Sequence, residues 1–534
     1  MILPQSLAHS IPHSPTQSLF NSLKFDHALY DNPYFPDITM ASMKKFLLSV
    51  LATAPSLVAA LPKGLGTKVV DTLDSCLTSA LSGDNTRAHY PSSSTFIKDH
   101  VKYFNLNLQY LPYAIVYPKT VEEISAVVVC AGSNDKKVQG RSGNLDFANR
   151  GLGGANGTII VDFDSFQSLE VDTATGLATV GPGNNLAQLF RGLHDNGNRF
   201  LPQASGGQIG VSGLSVVGGL GYGSRSHGAM IDHLTEVEIV LANGTVTRAS
   251  EQANSDLFWA VRGAGAGFGL VTELKFNTLP EPTELVTFTF TVTSNDSSVL
   301  VEALKAYHEI LRDTSLPREI GGVTRFSETT FLWSGAFFGN QSAFEAIGLQ
   351  SRLPSTLTAT IKTGVSWSTL MSGLTGTASP AAASQHFYII NAMMTPTSIS
   401  SNSTIDEFAS HVFSGSSDLG SWSFQFDLYG GAVNDVAVDA TAFPHRDLLY
   451  SLDGYVSTSS ETTSTEAIEF VNKGFEILLG NKPDQFLAYN GIASTGHKNP
   501  QQKYFGSNLA RLQTLKGQFD PKDLFSTPQT VKLA

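Results

Sequence analysis

The 534 residues carry a net charge of −12 and are 41% hydrophobic and 15% charged, a globular composition with room for two or three domains of roughly 150 residues each. The acidic balance excludes an electrostatic grip on phosphate backbones, so nucleic acid is not an expected partner. Two cysteines, with neither HExxH nor paired CxxC, argue against a structural zinc site.

Residues 1–42 are rich in Ser, Pro, His and Asn without periodicity and read as a non-native or disordered extension. Met43-Lys44-Lys45 then supplies a positive start, residues 46–60 an apolar run broken by Pro55, and Val58-Ala59-Ala60 a small-residue end. Residues 43–60 therefore read as a secretory signal peptide. The run is short for a membrane span of roughly 20 residues, so no stable membrane insertion is expected. A signal peptide belongs at a chain start, which puts the expected start of translation at Met43 or Met40. Secretion agrees with sequons at Asn156, Asn243, Asn295, Asn340 and Asn402, although Asn243-Gly244 also suits a two-residue hairpin turn. In an oxidising compartment Cys76 and Cys130 favour one disulfide over two free thiols.

From residue 114 to 161 the pattern predicts strand, helix, strand, glycine turn, strand, with Thr120-Val121-Glu122-Glu123 as a capping box for the helix that carries Cys130. Residues 171–180 predict a hairpin around Ala174-Thr175-Gly176. Leu186, Leu189, Phe190 and Leu193 have helical spacing, and residues 236–246 alternate as a strand pair does. After a strand at 270–276, Pro280-Glu281-Pro282 is a natural exit from one domain. Residues 283–479 change texture, with Thr- and Ser-rich strands at 286–293 and 424–429 and a helix at 299–312. A last helix, 508–518, stops at Asp520-Pro521.

Two glycine-dense stretches carry the chemistry. In Gln139-Gly140-Arg141-Ser142-Gly143-Asn144, small residues let backbone N–H groups point into one concavity, a nest suited to a pyrophosphate. The second runs from Ala204-Ser205-Gly206-Gly207 through Ile209-Gly210-Val211-Ser212-Gly213 to Gly218-Gly219-Leu220-Gly221, where backbone must approach something large and flat. Strict GxGxxG, GxxxxGK[ST] and GxSxG are missing, so Rossmann, P-loop and α/β-hydrolase readings lack their key residues.

These loops, with Phe147, Val161-Asp162-Phe163, Val180-Gly181-Pro182-Gly183, the run from Asp256-Leu257-Phe258-Trp259 to Gly269-Leu270-Val271-Thr272, Thr441-Ala442-Phe443-Pro444-His445-Arg446 and Tyr504-Phe505-Gly506-Ser507-Asn508, resemble the berberine bridge enzyme-like FAD-linked oxidoreductases. The likeness spans about residues 71–529. It implies an α+β, two-domain vanillyl-alcohol oxidase-like fold: a bipartite FAD-binding domain (residues 65–282 and 480–534) and a substrate domain (283–479) whose β-sheet roofs the flavin. Cys76 and Cys130 sit where many relatives carry a disulfide. Arg141, Ser142, Gly143, Asn144, Leu145, Ser205, Gly206, Ile209, Gly210, Gly213, Gly218, Gly219, Gly221 and Val271 are the cofactor-binding residues it implies.

Many relatives tether the flavin twice, through a His and a Cys. Those slots hold Leu145 and Gly206 here, and neither has a nucleophilic atom, so the expected cofactor is noncovalent FAD. Ile209 stands where relatives carry a residue thought to gate oxygen. Alcohol oxidation needs a base for the hydroxyl proton while hydride leaves for the flavin. Gln425 and Asp427 share a strand face and resemble the substrate-facing pair of carbohydrate-oxidising relatives, in which an Asp helps a Tyr act as base. The ungapped match puts Phe486 in the tyrosine slot; a local shift puts Tyr489 there. His227 either fills a turn or touches the cofactor, and His445 and Arg446 read as structural.

The expected activity is FAD-dependent oxidation of a small organic substrate, an alcohol, amine or polyketide-type intermediate of specialised metabolism. A cyclase that keeps FAD as a scaffold, a carbohydrate oxidase and a flavin-binding protein without activity are the competing readings. Nothing in the sequence specifies an oligomeric state.

Overall fold

The computed structural model describes residues 72–375, 384–414, 419–459 and 462–534. The expected extension and signal peptide, residues 1–60, lie outside the described residues.

Among the described residues three large sheets organise the fold, and Arg199–Phe200 with Leu279–Pro280 forms a fourth, two-stranded one. In the first, strand Ile159–Asp162 pairs in parallel with both Ala114–Val116 and Val138–Arg141, and Ala88–His89 closes one edge. All four residues of the central strand are buried, as expected of a parallel strand covered on both faces. Helix Val121–Ser133 crosses over between the parallel strands and packs Ile124, Val127, Val128 and Ala131 into the core. Its Cys130 is disulfide-bonded to Cys76 of helix Thr72–Ala80.

The capping box forms only in part. Thr120 Oγ1 accepts from Glu123 N–H at 3.3 Å, but the Glu123 carboxylate reaches past Thr120 to Lys119 N–H (2.7 Å) and ion-pairs with Arg87 (2.5 Å). A tertiary cation thus outcompetes the local cap, and that partner holds Glu123 down to about 2.

The second sheet is antiparallel, in the order Leu169–Asp172, Leu177–Val180, Leu270–Asn277, Leu234–Val240, Val246–Ser250. Helix Leu186–Asp195 is capped reciprocally by Asn185 and Gln188 and buries Leu186, Leu189, Phe190 and Leu193. The C-terminal helix Leu509–Phe519 sends Leu512 and Leu515 into the same core as helix Ser255–Ala264. Lys516, fully buried, fastens it through Gly267 O, Phe525 O and Asp520.

The third sheet has seven antiparallel strands, ordered Thr358–Val365, Leu285–Thr293, Thr330–Phe337, Ile320–Ser327, Ser421–Leu428, Tyr450–Thr458, His386–Met394. One face packs Phe288, Phe290, Phe326, Phe424, Phe426, Leu452 and Val456 against helices Ser297–Leu311, Asn402–Ser414 and Thr465–Leu478. Period-two alternation sends Gln425, Asp427, Ser451, Asp453, Asn391 and Arg325 to the other face. That face looks toward the segment 487–492, whose Tyr489 hydroxyl reaches Gly219 of the second glycine loop: Met393 N–H donates to Leu487 O, and Asn391 donates to Ile492 O while accepting from Tyr489 N–H.

Candidate active site

The first glycine loop leaves the C-terminal end of strand Val138–Arg141, and its polar side chains brace it. Arg141 spends its guanidinium on Asp162 (2.5 Å), His100 O (2.6 Å) and Tyr117 Oη (3.2 Å). Ser142 Oγ donates to Pro182 O at 2.6 Å, and Asn144 donates to Lys102 O at 2.7 Å. Both side chains hold the loop from behind, which leaves backbone groups to face the opening.

The second loop docks on the first at a Gly143–Gly210 contact. A Cβ on Gly143 would run into Gly210 N, and one on Gly210 into Gly143 N, so both positions exclude every larger residue. Bonds from Leu186 N–H to Ile209 O, Ala187 N–H to Gly207 O and Val211 N–H to Asn184 O fix this second loop to the start of helix Leu186–Asp195.

Between the loops lies a cleft lined by Arg141, Ser142, Gly143, Asn144, Leu145, Ile209, Gly210 and Gly213. A contiguous chamber is lined by Phe163, Gly213, Ala266, Leu270 and Val271. Apolar walls with backbone donors at one end suit a flat ring system joined to phosphates. The Gln139 Oε1 atom, buried beside both spaces and without a partner, fits a ligand that supplies a donor.

Ser205, Gly206, Gly218, Gly219 and Gly221 stand away from that lining. Gly206 faces the Ile209 side chain, Gly219 faces Met230, and Gly221 lies against Gln203 O. Gly218 (φ +138°) meets Phe443 and Tyr489, and a residue with a Cβ would be strained there. Gly218, Gly219 and Gly221 thus shape a turn packed on protein atoms, Phe443, Tyr489, Met230 and Gln203.

Several lining residues escaped the sequence reading. Arg150 bonds Asp146 (2.5 Å), Asn490 Oδ1 (2.6 Å) and Asn490 O (2.9 Å), bringing Gly491 to the rim. The i,i+4 spacing of Asp146 and Arg150 was the available signal. Thr527 and Thr530 close the cleft from the C-terminal segment, which no local pattern announces.

On the sheet above, Asp427 Oδ2 accepts from Gln425 Nε2 (3.2 Å) and from Tyr429 Oη (3.3 Å), while Asp427 Oδ1 is buried without a partner. Burial pushes Asp427 up to about 7, and burial followed by the Asp427 charge raises Tyr429 well above the usual phenol value. Tyr489 does not meet Asp427 through its hydroxyl. That oxygen accepts from Gly219 N–H at 3.0 Å, and burial pushes the phenol up to about 12. Phe486 packs against the far core of the sheet. Tyr429, two residues beyond Asp427, and Asp453 on the neighbouring strand join the polar group unannounced.

His227 packs between Phe200 and Phe338, with centroids at 5.0 and 5.4 Å, outside the cleft lining. Arg446 pairs with Asp232 at 2.7 Å. Beside it His445 is buried, and burial pushes it down to about 3.

Residues 112–250 match the family model of an FAD binding domain, and residues 481–532 that of berberine and berberine-like proteins. The FAD-linked oxidoreductase sorD of Penicillium rubens is 32% identical over 85% of this chain and 97% of its own length. Xylooligosaccharide oxidase of Thermothelomyces thermophilus is 30% identical over 86% and 94%. Among solved structures, glucooligosaccharide oxidase from Acremonium strictum, whose FAD is 6-S-cysteinyl and 8α-N1-histidyl, superposes with a TM-score of 0.78 at 28% identity, over 87% of this chain and 100% of that one.

Proposed function

This chain belongs to the berberine bridge enzyme-like FAD-linked oxidoreductases, and we propose that it holds FAD noncovalently and oxidises a small organic substrate, an alcohol, amine or polyketide-type intermediate of specialised metabolism. FAD bound in the cleft supplies a hydride acceptor. The residues that would hold it are the backbone from Ser142 to Leu145, Ile209, Gly210, Gly213 and Val271, with Arg150 and Thr530 at the rim.

The observation that carries the oxidation is the Asp427–Tyr429 bond on the face of the sheet turned away from its helices. A carboxyl raised toward neutrality is matched to taking a proton from a hydroxyl or amine at physiological pH. Gln425 orients Asp427, and Tyr489 fixes the Gly219 turn beneath the substrate.

Noncovalent binding is supported by Leu145, which lines the cleft with a hydrocarbon side chain, and by Gly206, which offers no sulfur. Secretion is supported by the Cys76–Cys130 disulfide and by exposure of all five sequon asparagines.

Two other readings each have an observation behind them. The Gln425–Asp427 pair and the xylo- and glucooligosaccharide oxidases among the relatives favour a sugar substrate. The lack of tethering side chains at 145 and 206 favours cyclisation on a bound FAD scaffold. Anaerobic incubation with panels of alcohols, amines and oligosaccharides separates them. Bleaching of the visible flavin band identifies oxidation and its substrate class; substrate consumed without bleaching or an external acceptor identifies cyclisation.

A further inference from the structure

Strands Ser421–Leu428 and Tyr450–Thr458 are hydrogen-bonded neighbours whose register sets Gln425 opposite Asp453 and Asp427 opposite Ser451. Asp427 and Asp453 are therefore diagonal neighbours on one face. That face is the one turned to the cradle, since Asp453 stands opposite Asn391, whose side chain holds the segment that brings Gly491 to the cleft. Both carboxyls are buried, 8% and 3% exposed.

Their donors are few. Asp427 has Gln425 and Tyr429 on one oxygen and nothing on Oδ1; Asp453 has Ser451 Oγ at 2.8 Å. Arg325 on the adjacent strand acts on Asp427, and the Asp427 charge in turn acts on Tyr222 from the glycine-rich turn and Tyr307 from the helix behind the sheet. Arg325, the one cation of these, donates to Gln425 Oε1 at 3.2 Å, and among the described residues neither carboxylate forms a salt bridge. Two buried carboxylates so placed cannot both ionise cheaply.

We propose that Asp427 and Asp453 share a single proton on the substrate side of the sheet, Asp453 acting as the positioning residue that keeps Asp427 ready to accept a second. The proposal rests on the assignment of Asp427 as proton acceptor. As substrate is oxidised, its O–H or N–H proton would pass to Asp427, and the FAD that the cleft would hold would supply the acceptor for its hydride with the electron pair. The pair goes from one proton to two and from a charge of −1 to neutral, and it returns the proton to solvent before the next turnover. Burial, then the Asp427 charge, raise Asp453 well above the usual carboxylate range, in keeping with one shared proton.

The test needs no substrate. Infrared difference spectra of the flavin-loaded protein, titrated between about pH 5 and 9, should show a protonated-carboxyl stretch that falls to about half its intensity with a midpoint near neutrality, as the pair goes from two protons to the shared one. Asp453→Asn should shift that midpoint acidward by at least about one pH unit, because the like charge is gone. Asp427→Asn should do the same to the band left on Asp453, and Asp453→Glu should restore the wild-type midpoint. No carboxyl titrating in that range, or a midpoint that Asp453→Asn leaves in place, overturns the proposal. If Asp453→Asn fails to fold, the Asp453→Glu and Asp427→Asn titrations decide it by the same criterion. Because the band is read without substrate, a failure of the oxidation reading, seen as flavin that no substrate bleaches, remains a separate result.

Discussion

The Tyr489 hydroxyl accepts a hydrogen bond from the Gly219 backbone N–H at 3.0 Å, across 270 residues of sequence. That bond, with burial holding the phenol at about 12, makes Tyr489 a brace for the turn and a poor base near neutrality. Tyr489→Phe should leave the buried Gly219 N–H unpaired and cost about 1–3 kcal/mol of stability. Flavin reduction by substrate should stay within about threefold. Asp427→Asn, by contrast, should slow reduction by about a hundredfold, a typical loss for a proton-transfer group. Stopped-flow bleaching and denaturant melts of the two variants make the comparison, and a larger rate loss in Tyr489→Phe would reverse the two roles.

Acid precipitation tests the cofactor linkage. Wild-type flavin should stay in the supernatant. Leu145→His puts a nucleophile on the cleft lining, and some flavin should then pellet with the protein. Gly206→Cys alone should leave the flavin soluble, since Gly206 stands off the lining and a Cβ there lies 2.7 Å from Ile209 Cδ1. Yellow colour in the wild-type pellet would refute noncovalent binding.

How much of this was legible in the sequence depends on whether the signal is local. Leu186, Leu189, Phe190 and Leu193 announce a helix because its period is fixed by backbone geometry, and all four are buried. Period two likewise puts Gln425 and Asp427 on one face. That periodicity cannot say which strand comes to lie alongside, so Asp453 stays invisible until the register sets it opposite Gln425. The Gly218–Gly221 turn reads as cofactor loop, since a glycine pressed against a ligand and one pressed against Tyr489 look alike in sequence. Thr527 and Thr530 reach the cleft through contacts distant in sequence, Lys516 with Gly267 O and Gln501 with Thr530 O.

Arg150 ties the first loop to the segment at Asn490 and lines the cleft. Arg150→Met would leave the Asp146 carboxylate without its cation and free the Gly491 rim. FAD affinity should drop at least about tenfold, equivalent to about 1.4 kcal/mol. Arg150→Lys should fall between, because an ammonium keeps the charge but lacks the forked donors that reach Asp146 and Asn490 together. Fluorescence titration of flavin-stripped protein with FAD measures both. Affinities equal to wild type would make the clamp irrelevant to binding.

Asp427 also fixes a pH dependence of stability whose sign can be worked out. Its carboxyl titrates at 3.8 when unperturbed and at about 7 in the fold, raised chiefly by burial. The stabilisation it contributes is fully present below the unperturbed value and is lost as pH rises through about 7, where the folded protein must bury a charge. Asp427→Asn removes that titration. The variant should match wild type near pH 4 and exceed it by about 1–3 kcal/mol near pH 8, part of the gain coming from relief of Asp453. His445 and His308, which burial pushes down to about 3 and about 4, weaken both proteins below the ordinary histidine range. The unfolded chain takes up those protons while the fold refuses them, so their effect cancels in the difference. Urea unfolding of both proteins across that range gives the curve. A gain that is flat with pH would mean Asp427 is ionised throughout, and a gain that grows toward alkali would show a residue kept for its chemistry at the expense of the fold.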